Sequence, residues 1–325
     1  MAYKVLVPQA VAAEGTEFLK KRGYEIKEGR GASEADLIAD VADCDAILLR
    51  TAPCTAAVIE AGKKLRIVAR HGAGYNNVDL AAAAKKGVWV TNAPDATTNT
   101  VAEFTIGAVL ATAKRTFLLN QAMKKGDFFF KNDHKGLDLE GKTLGIIGLG
   151  RIGRKVAHKA YFGLDMKIVA YDPFAARENT PEYVKLASYE EVFRSADFVS
   201  LHMPLTAENK NSIGINEFSL MKPTAYFINC ARGELVREED LAQALREGVI
   251  AGAFLDVFQQ EPPAQDNPLL ALENVVATPH MASNTEECMM LMATQAAAEI
   301  DRVLSGGKPE WPVNKPDFLA FSSEL

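Results

Sequence analysis

The sequence has few of the residues that staple small domains or ligate metals: four cysteines (Cys44, Cys54, Cys230 and Cys288) and five histidines in 325 residues. The cysteines show neither metal-ligand nor disulfide spacing, which points to reduced thiols and a cytoplasmic setting. No apolar run is long enough to cross a bilayer, and the opening M-A-Y-K-V-L-V-P is not a basic-then-apolar leader, so secretion and membrane insertion are not expected. An excess of basic residues is also missing. The 36 Lys and Arg against 42 Asp and Glu leave a net charge of −6, which argues against nucleic acid or an acidic membrane as the main partner. What remains is 48% apolar and 24% charged, the balance of a globular protein long enough for two domains.

The most informative stretch runs from Leu144 to Asp172. An apolar strand, Leu144 to Ile147, feeds Gly148-Leu149-Gly150-Arg151-Ile152-Gly153, and a helix over Ile152 to Tyr161 places Val156, Ala157 and Ala160 on one face. Strand, glycine turn and helix come in the order of a dinucleotide fingerprint. Gly148 permits the tight turn, Gly150 lets the backbone meet a pyrophosphate, and Gly153 lets the helix close on the strand. The helix N-terminus then holds the phosphate charge. A second strand, Lys167 to Tyr171, ends at Asp172, where an acid accepts hydrogen bonds from the adenosine ribose and repels a 2′-phosphate. NAD is therefore favoured over NADP.

Residues before about 95 alternate strands (Lys4–Val7, Glu25–Lys27, Ala46–Leu49, Arg66–Ala69, Val88–Val90) with helical stretches such as Ser33–Val41 and Asp79–Lys86, predicting a small parallel α/β sheet. The loop Arg70-His71-Gly72-Ala73-Gly74 at one strand end reads either as an anion-binding nest or as a plain turn. Arg50 and Arg70 end neighbouring strands and face either a charged substrate tail or solvent. The turn formers Asn92 to Thr100 lead into a helix with Val101, Phe104, Ala108, Val109 and Ala111 on its apolar side, running to about Leu119. The charged segment Lys124 to Glu140 then carries Phe128-Phe129-Phe130, three aromatics that need cover; a dimer arm is expected. Further strands follow at Val184–Leu186, Phe198–Leu201, Ala225–Ile228, Ala251–Leu255 and Val275–Ala277, the count of a doubly wound sheet.

Four of these strands end in chemistry: His202-Met203-Pro204-Leu205-Thr206, Asn229-Cys230-Ala231-Arg232-Gly233, Asp256-Val257-Phe258-Gln259-Gln260-Glu261-Pro262 and Thr278-Pro279-His280. An imidazole, a guanidinium, two carboxylates and a second imidazole thus reach one sheet edge.

With these motifs in order, L-E-G-K-T-L-G-I-I-G-L-G-R-I-G, H-M-P-L-T, N-C-A-R-G-E-L-V, D-V-F-Q-Q-E-P-P and P-H-M-A-S-N-T, essentially the whole chain resembles the D-isomer-specific 2-hydroxyacid dehydrogenases. The resemblance implies two doubly wound parallel-sheet domains, with a Rossmann NAD-binding domain (99–285) inserted into a flavodoxin-like substrate domain (1–98 plus 286–325). It implies an enzyme that moves a hydride between NAD and a D-2-hydroxy/2-oxo acid pair; the dimer arm read from the aromatic run makes a homodimer the expected assembly. The motifs are closest to the phosphoglycerate and hydroxypyruvate/glyoxylate branch, and the longer phosphoglycerate dehydrogenases carry a further regulatory domain not expected here. Arg232, Glu261 and His280 take the catalytic roles. Arg151 and Ile152 meet the pyrophosphate, and Asp172 the ribose. His202, Met203 and Pro204 line the cofactor loop, while Cys230, Ala231, Arg232, Asp256 and His280 stand at the nicotinamide end. Ala73 and Gly74 offer N–H groups to the substrate carboxylate, and Arg50 and Arg70 suit a phosphate. Where the family has a glycine-containing L-G-A-S-T-like run, this chain has Met281-Ala282-Ser283-Asn284-Thr285, with less backbone freedom.

Elementary chemistry gives the same assignments. Removing a hydride from a hydroxyl-bearing carbon requires loss of the hydroxyl proton, a task for an imidazole. A carboxylate on its other ring nitrogen fixes the tautomer and stabilises imidazolium, the task of Glu261. Arg232 grips a carboxylate and polarises a ketone with a planar fork. Asp256 either touches the ligand or caps a turn, Cys230 packs, His71 packs or meets solvent, and His134 and His158 lie at the surface. Two other readings use the same scaffold: an NAD(H)-sensing interaction protein without turnover, and an NAD enzyme of different chemistry such as formate or phosphite oxidation.

Overall fold

The computed structural model describes residues 2–317, so the expected substrate domain's last stretch, 318–325, lies outside the described residues. It divides into two compact units, one running to Thr97 and resuming at Asn284, the other Thr98–Ser283. The first begins with β1 (Lys4–Val7), α1 (Ala13–Lys21), β2 (Glu25–Glu28), α2 (Glu34–Val41), β3 (Ala46–Leu49), α3 (Ala56–Ala61), β4 (Ile67–Arg70), α4 (Leu80–Lys85) and β5 (Trp89–Thr91). All five strands pair parallel in the order β2-β1-β3-β4-β5, the flavodoxin-like winding. The period-two alternation of the strands shows which residues face which layer. Leu6, Ile47, Leu49 and Val68 pack with Leu37, Val41, Val58 and Ile59, whereas Val5, Val7, Ala46, Leu48, Ile67 and Ala69 face the other layer.

The chain then enters α5 (Pro94–Ala113) and α6 (Thr116–Lys124). The expected turn over Asn92 to Thr100 is largely helix. Pro94 opens it, because a proline's fixed φ suits the first helical position and its missing N–H costs nothing there. Asn99, read as a turn former, instead donates along the helix to Glu103 at 2.8 Å. The helix does not continue to Leu119; Arg115 takes a left-handed φ of 52° and starts α6 at a new angle.

The second unit follows with β6 (Thr143–Ile147), α7 (Arg151–Leu164), β7 (Lys167–Tyr171), β8 (Val184–Leu186), α8 (Tyr189–Ser195), β9 (Phe198–Leu201), α9 (Ile215–Leu220), β10 (Tyr226–Asn229), α10 (Glu238–Arg246), β11 (Gly252–Leu255) and β12 (Val275–Ala277). Its seven parallel strands run β12-β11-β10-β9-β6-β7-β8, so the winding reverses between β6 and β9. Val199, Leu201, Phe227, Ala253 and Leu255 face α8, α9 and α10, while Leu144, Ile146, Ile168, Phe198 and Ile228 face α5 and α7. The sheet is buried on both sides, as the near-continuous apolar strands require. Because every strand is parallel, each loop after a strand of this unit opens at the same edge, which is what gathers the site residues.

The chain closes with α11 (Glu286–Leu304), capped by the Thr285 hydroxyl and returned to the first unit. Ala296, Ala297, Ile300 and Val303 pack with Leu19 of α1 and the β1, β3 and β4 strands. Buried Glu299 accepts the Glu310 and Trp311 N–H groups at 2.9 and 3.0 Å and pairs with Arg302, fixing the segment that leaves the helix. No helix among the described residues is long and apolar enough to cross a membrane.

Candidate active site

The reversal point of the second unit carries the glycine turn. Gly148 has φ +97°, and a Cβ there would come within 2.7 Å of the His202 carbonyl; a Cβ on Gly153 would run into the Gly148 carbonyl. Both glycines are thus required by the chain's own packing. Gly150 is different. Its φ of −71° suits any residue and a Cβ would meet nothing within 4 Å, so neither conformation nor crowding demands a glycine there. It is the N-cap of α7 but offers no side-chain acceptor, and the first turn holds Arg151 and no acid. Ser33, Asp79, Ser188 and Thr285 cap their helices with side-chain oxygens. An uncapped helix N-terminus behind a bare glycine and an arginine fits an approaching diphosphate. Ile152 follows in the same turn, half-buried.

Asp172 lies just past β7. Its Oδ2 accepts the Leu149 N–H and its Oδ1 the Phe174 N–H, both at 2.8 Å, so the carboxylate also ties the glycine turn to the second strand. Acceptor capacity remains on each oxygen for ribose hydroxyls. After β9, the His202 N–H reaches the Ile147 carbonyl at 2.7 Å, and its Nε2 lies 2.9 Å from the Ser200 hydroxyl. Desolvation lowers this imidazole to about 4 and keeps it neutral near pH 7. Met203 is half-buried, and exposed Pro204 offers its carbonyl to Asn209 at 2.7 Å.

After β10, Asn229 folds the next loop back on itself. Its side chain accepts the Ala231 N–H at 3.0 Å and donates to the Arg232 carbonyl at 2.9 Å. Cys230 is buried, and burial pushes its thiol well above the usual range, as befits a packing residue. Arg232 donates to the Ala231 carbonyl at 2.7 Å. Burial lowers its guanidinium from the ordinary value, Glu234 and Glu261 oppose that, and it stays charged. The next loop brings Glu261, whose Oε2 stands 2.8 Å from His280 Nδ1 and whose Oε1 accepts the Phe258 N–H at 3.1 Å. Burial works to raise this carboxyl, but the His280 bond and charge, the Phe258 N–H and Arg232 outweigh it and hold it below the usual range. Arginine, glutamate and histidine from three successive strand ends therefore form one electrostatic group, and His280 Nε2 has no partner among the described residues.

His280 is held in the left-handed region at φ 55° by N–H bonds to the Asp256 and Thr278 carbonyls, 2.8 and 3.1 Å long. The Asp256 side chain has no solvent exposure. It accepts the Thr278 hydroxyl at 2.6 Å and the Met281 and Ala282 N–H groups at 2.8 Å each. Of the two readings of Asp256, the cap is what the carboxylate performs here. Thr278 and Asn229 are site-forming residues to which the sequence reading assigned no role. Asn229, a polar residue closing an apolar strand ahead of a turn, was the detectable signal; Thr278 had none.

In the first unit, the Arg70 to Gly74 loop behaves differently from expectation. Arg70 does not present a bare guanidinium to solvent or to a phosphate: Nε donates to the Gly74 carbonyl at 2.7 Å, and Nη1 to the carbonyls of Leu49, Arg50 and His71. Its reach along β4 lets it bind the ends of two strands together. Arg50 gives Nη1 to the Ala10 carbonyl at 3.1 Å. The carbonyls of Gly72, Ala73 and Gly74 are taken by Ala93, Asn92 and Arg70, which leaves the Ala73 and Gly74 N–H groups without partners among the described residues. His71 is buried, with Nε2 3.2 Å from the Met289 carbonyl, so it packs rather than meeting solvent. His134 stacks on Phe130 with ring centroids 3.6 Å apart, while His158 is exposed.

Residues 106–282, just over half of the chain, match the family model for the NAD binding domain of D-isomer specific 2-hydroxyacid dehydrogenases. The chain belongs to this family. It is 41% identical over 318 residues to a D-3-phosphoglycerate dehydrogenase of Methanocaldococcus jannaschii, covering 97% of this chain and 60% of the relative. It is 39% identical to a glyoxylate reductase of Korarchaeum cryptofilum, covering 97% of each. The crystal structure of NAD+-bound 3-phosphoglycerate dehydrogenase of Entamoeba histolytica superposes with a TM-score of 0.83 at 30% identity, covering 98% of this chain and all of the other. The chain thus spans about three-fifths of the length of the first of these relatives.

Burial lowers His71 from its ordinary 6.5 to about 4, with Arg50 and Arg70 adding to the effect. The unfolded chain therefore binds the extra proton between these values, and stability falls as pH drops from about 6.5 to 4, by up to about 3 kcal/mol from this residue. Chemical denaturation at pH 7 and pH 4.5 measures the loss. His71→Gln, which keeps a donor for Met289 without titrating, is expected to shrink it; an equal loss in the variant would contradict the assignment.

Proposed function

We propose that this chain is an NAD-dependent dehydrogenase that interconverts a D-2-hydroxy acid and its 2-oxo acid. The observation that carries the reading is the 2.8 Å His280–Glu261 bond, with Arg232 acting on the same carboxylate. Family membership, the uncapped α7 N-terminus and Gly150 support NAD as the cofactor. Gly148, Gly150, Arg151, Ile152 and Gly153 receive its pyrophosphate and Asp172 its ribose; His202, Met203 and Pro204 line its path, and Cys230, Ala231 and Asp256 shape the nicotinamide end. When bound, the cofactor supplies or accepts the hydride.

In reduction, Arg232 orients the 2-oxo acid and draws electron density onto the carbonyl oxygen. The protonated His280 delivers its Nε2 proton to the oxygen that develops negative charge, and Glu261 at Nδ1 stabilises the imidazolium beforehand. In oxidation the neutral ring takes the hydroxyl proton back. The Ala73 and Gly74 N–H pair of the first unit suits a carboxylate. The substrate is D-3-phosphoglycerate/3-phosphohydroxypyruvate or D-glycerate/hydroxypyruvate (glyoxylate), with Arg50 the guanidinium available for a phosphate now that Arg70 is engaged in structure.

We also infer a homodimer in which a second copy covers the segment around the Phe128–Phe130 run, since Phe128 and Phe129 are 55% and 72% exposed. The four buried free thiols support a cytoplasmic setting.

NADH consumption against 3-phosphohydroxypyruvate, hydroxypyruvate, glyoxylate, pyruvate and 2-oxoglutarate tests the activity. Turnover of at least one is expected, with His280→Ala slower by about 10²–10⁴-fold and NADH binding retained. Arg50→Ala should weaken a phosphorylated substrate more than an unphosphorylated one. Tight NADH binding with no turnover would favour the sensing protein instead. For assembly, light scattering is expected to give a dimer that Phe129→Glu dissociates; a monomeric wild type would end that proposal.

A further inference from the structure

The Glu261–His280 pair lies at the surface, with side chains 38% and 46% exposed. An ion pair so open to water gains little from attraction alone and loses side-chain freedom when it forms. How often Glu261 stands opposite Nδ1 is then decided by the backbone that carries it. That backbone is clasped on both sides by one residue. Glu238, the first residue of α10, accepts the Gln259 N–H through Oε1 at 2.6 Å, two residues before Glu261, and the Asn267 side-chain amide through Oε2 at 2.7 Å, six residues after it. Gln259 adds a second tie: its Nε2 donates to Asn211 Oδ1 at 2.8 Å and to the Val236 carbonyl at 2.6 Å.

A third contact joins this loop to the arginine loop. A Cβ on Gly233 would run into the carbonyl of Phe258, the residue whose N–H bonds Glu261. The loop carrying Arg232 therefore packs backbone to backbone on the loop carrying Glu261.

We infer that Gln259 and Glu238 are positioning residues that hold Glu261 against His280 by anchoring its loop to the N-terminus of α10. The clasp sets the geometry of the pair, and neither residue reaches the reacting atoms. The kinetic consequence rests on the dehydrogenase reading; the clasp itself does not. With Glu261 held, the imidazolium is stabilised before substrate arrives, in the pre-organised geometry that proton transfer needs.

The direct test is the imidazole titration of His280, followed by nuclear magnetic resonance of ¹⁵N-histidine-labelled full-length protein and assigned by its loss in His280→Asn. Removing the opposing charge in Glu261→Gln is expected to lower the midpoint. Gln259→Ala and Glu238→Gln are each expected to lower it by at least half as much, and Gln259→Ala to add nothing in the Glu261→Gln background. A Gln259→Ala protein that is folded and titrates as wild type would overturn the inference, as would an additive effect in the double variant. If Gln259→Ala unfolds, Gln259→Met, of similar length without the donor, reports instead. In turnover, kcat for 2-oxo acid reduction should fall about tenfold in Gln259→Ala while the KM for NADH is unchanged. Absence of turnover in the wild type would count against the dehydrogenase reading alone, because the titration reads the clasp without it.

Discussion

A carboxylate with no access to water governs the edge at which this chain gathers its chemistry. Asp256 accepts three hydrogen bonds from the Thr278 to Ala282 segment, and its own carbonyl accepts the N–H of His280. A buried charge is tolerated only when its lone pairs are occupied, and each donor left orphaned by its removal would cost about 1–3 kcal/mol. Four bonds therefore tie the end of β11 to the loop after β12, and they hold His280 in a left-handed backbone conformation that few side chains adopt. With the histidine fixed, the Glu261 and Arg232 loops need only be placed against it. Packing at Gly233 and the Glu238 bonds do that.

The two ends of the cofactor-binding unit solve opposite electrostatic problems. At the glycine turn, the N-terminus of α7 is left without a capping side chain and with a basic residue in its first turn. The exposed N–H groups and the helix dipole make this end suit a diphosphate. At the histidine end, Glu261 stands 2.8 Å from His280, and the His280 bond and charge, the Phe258 N–H and Arg232 together hold its carboxyl below the usual range against the effect of burial. Asp172 links the first of these regions to the strand beside it by holding the Leu149 N–H, so the same acid that suits a ribose also shapes the glycine turn.

Much of this was legible in the residues. Strands such as Lys4–Val7, Ala46–Leu49, Lys167–Tyr171 and Phe198–Leu201 have the ends their apolar runs indicate, because a sheet covered on both faces writes itself as short continuous apolar stretches. The glycine turn could be read from spacing, since Gly148 and Gly153 answer to contacts within a few residues along the chain or across one strand. The helix over Pro94 to Thr100 was not legible: its threonines and Asn99 are turn formers by composition, and burial of Ala96, Thr97 and Ala102 decides for helix. Nor was the fate of Arg70, whose donors go to carbonyls of residues 49 and 50, 20 or more positions away. The clasp of Glu238 spans 21 and 29 positions to its two partners and has no periodic signature at all. Local geometry is written in the order of residues, whereas long-range polar pairing is known only once the strands are in place.

The proposed reaction has His280, supported by Glu261, transfer a proton to a 2-oxo acid held by Arg232 while a hydride arrives on one face. The most direct measurement is the configuration of the product. The protein is incubated with NADH and whichever of 3-phosphohydroxypyruvate, hydroxypyruvate, pyruvate and 2-oxoglutarate it reduces fastest, glyoxylate being left out because its product has no stereocentre, and the resulting 2-hydroxy acid is resolved by chiral chromatography. The D enantiomer alone is expected, with no product from His280→Ala on the same time scale; an L or racemic product, or undiminished product from the variant, would contradict these roles.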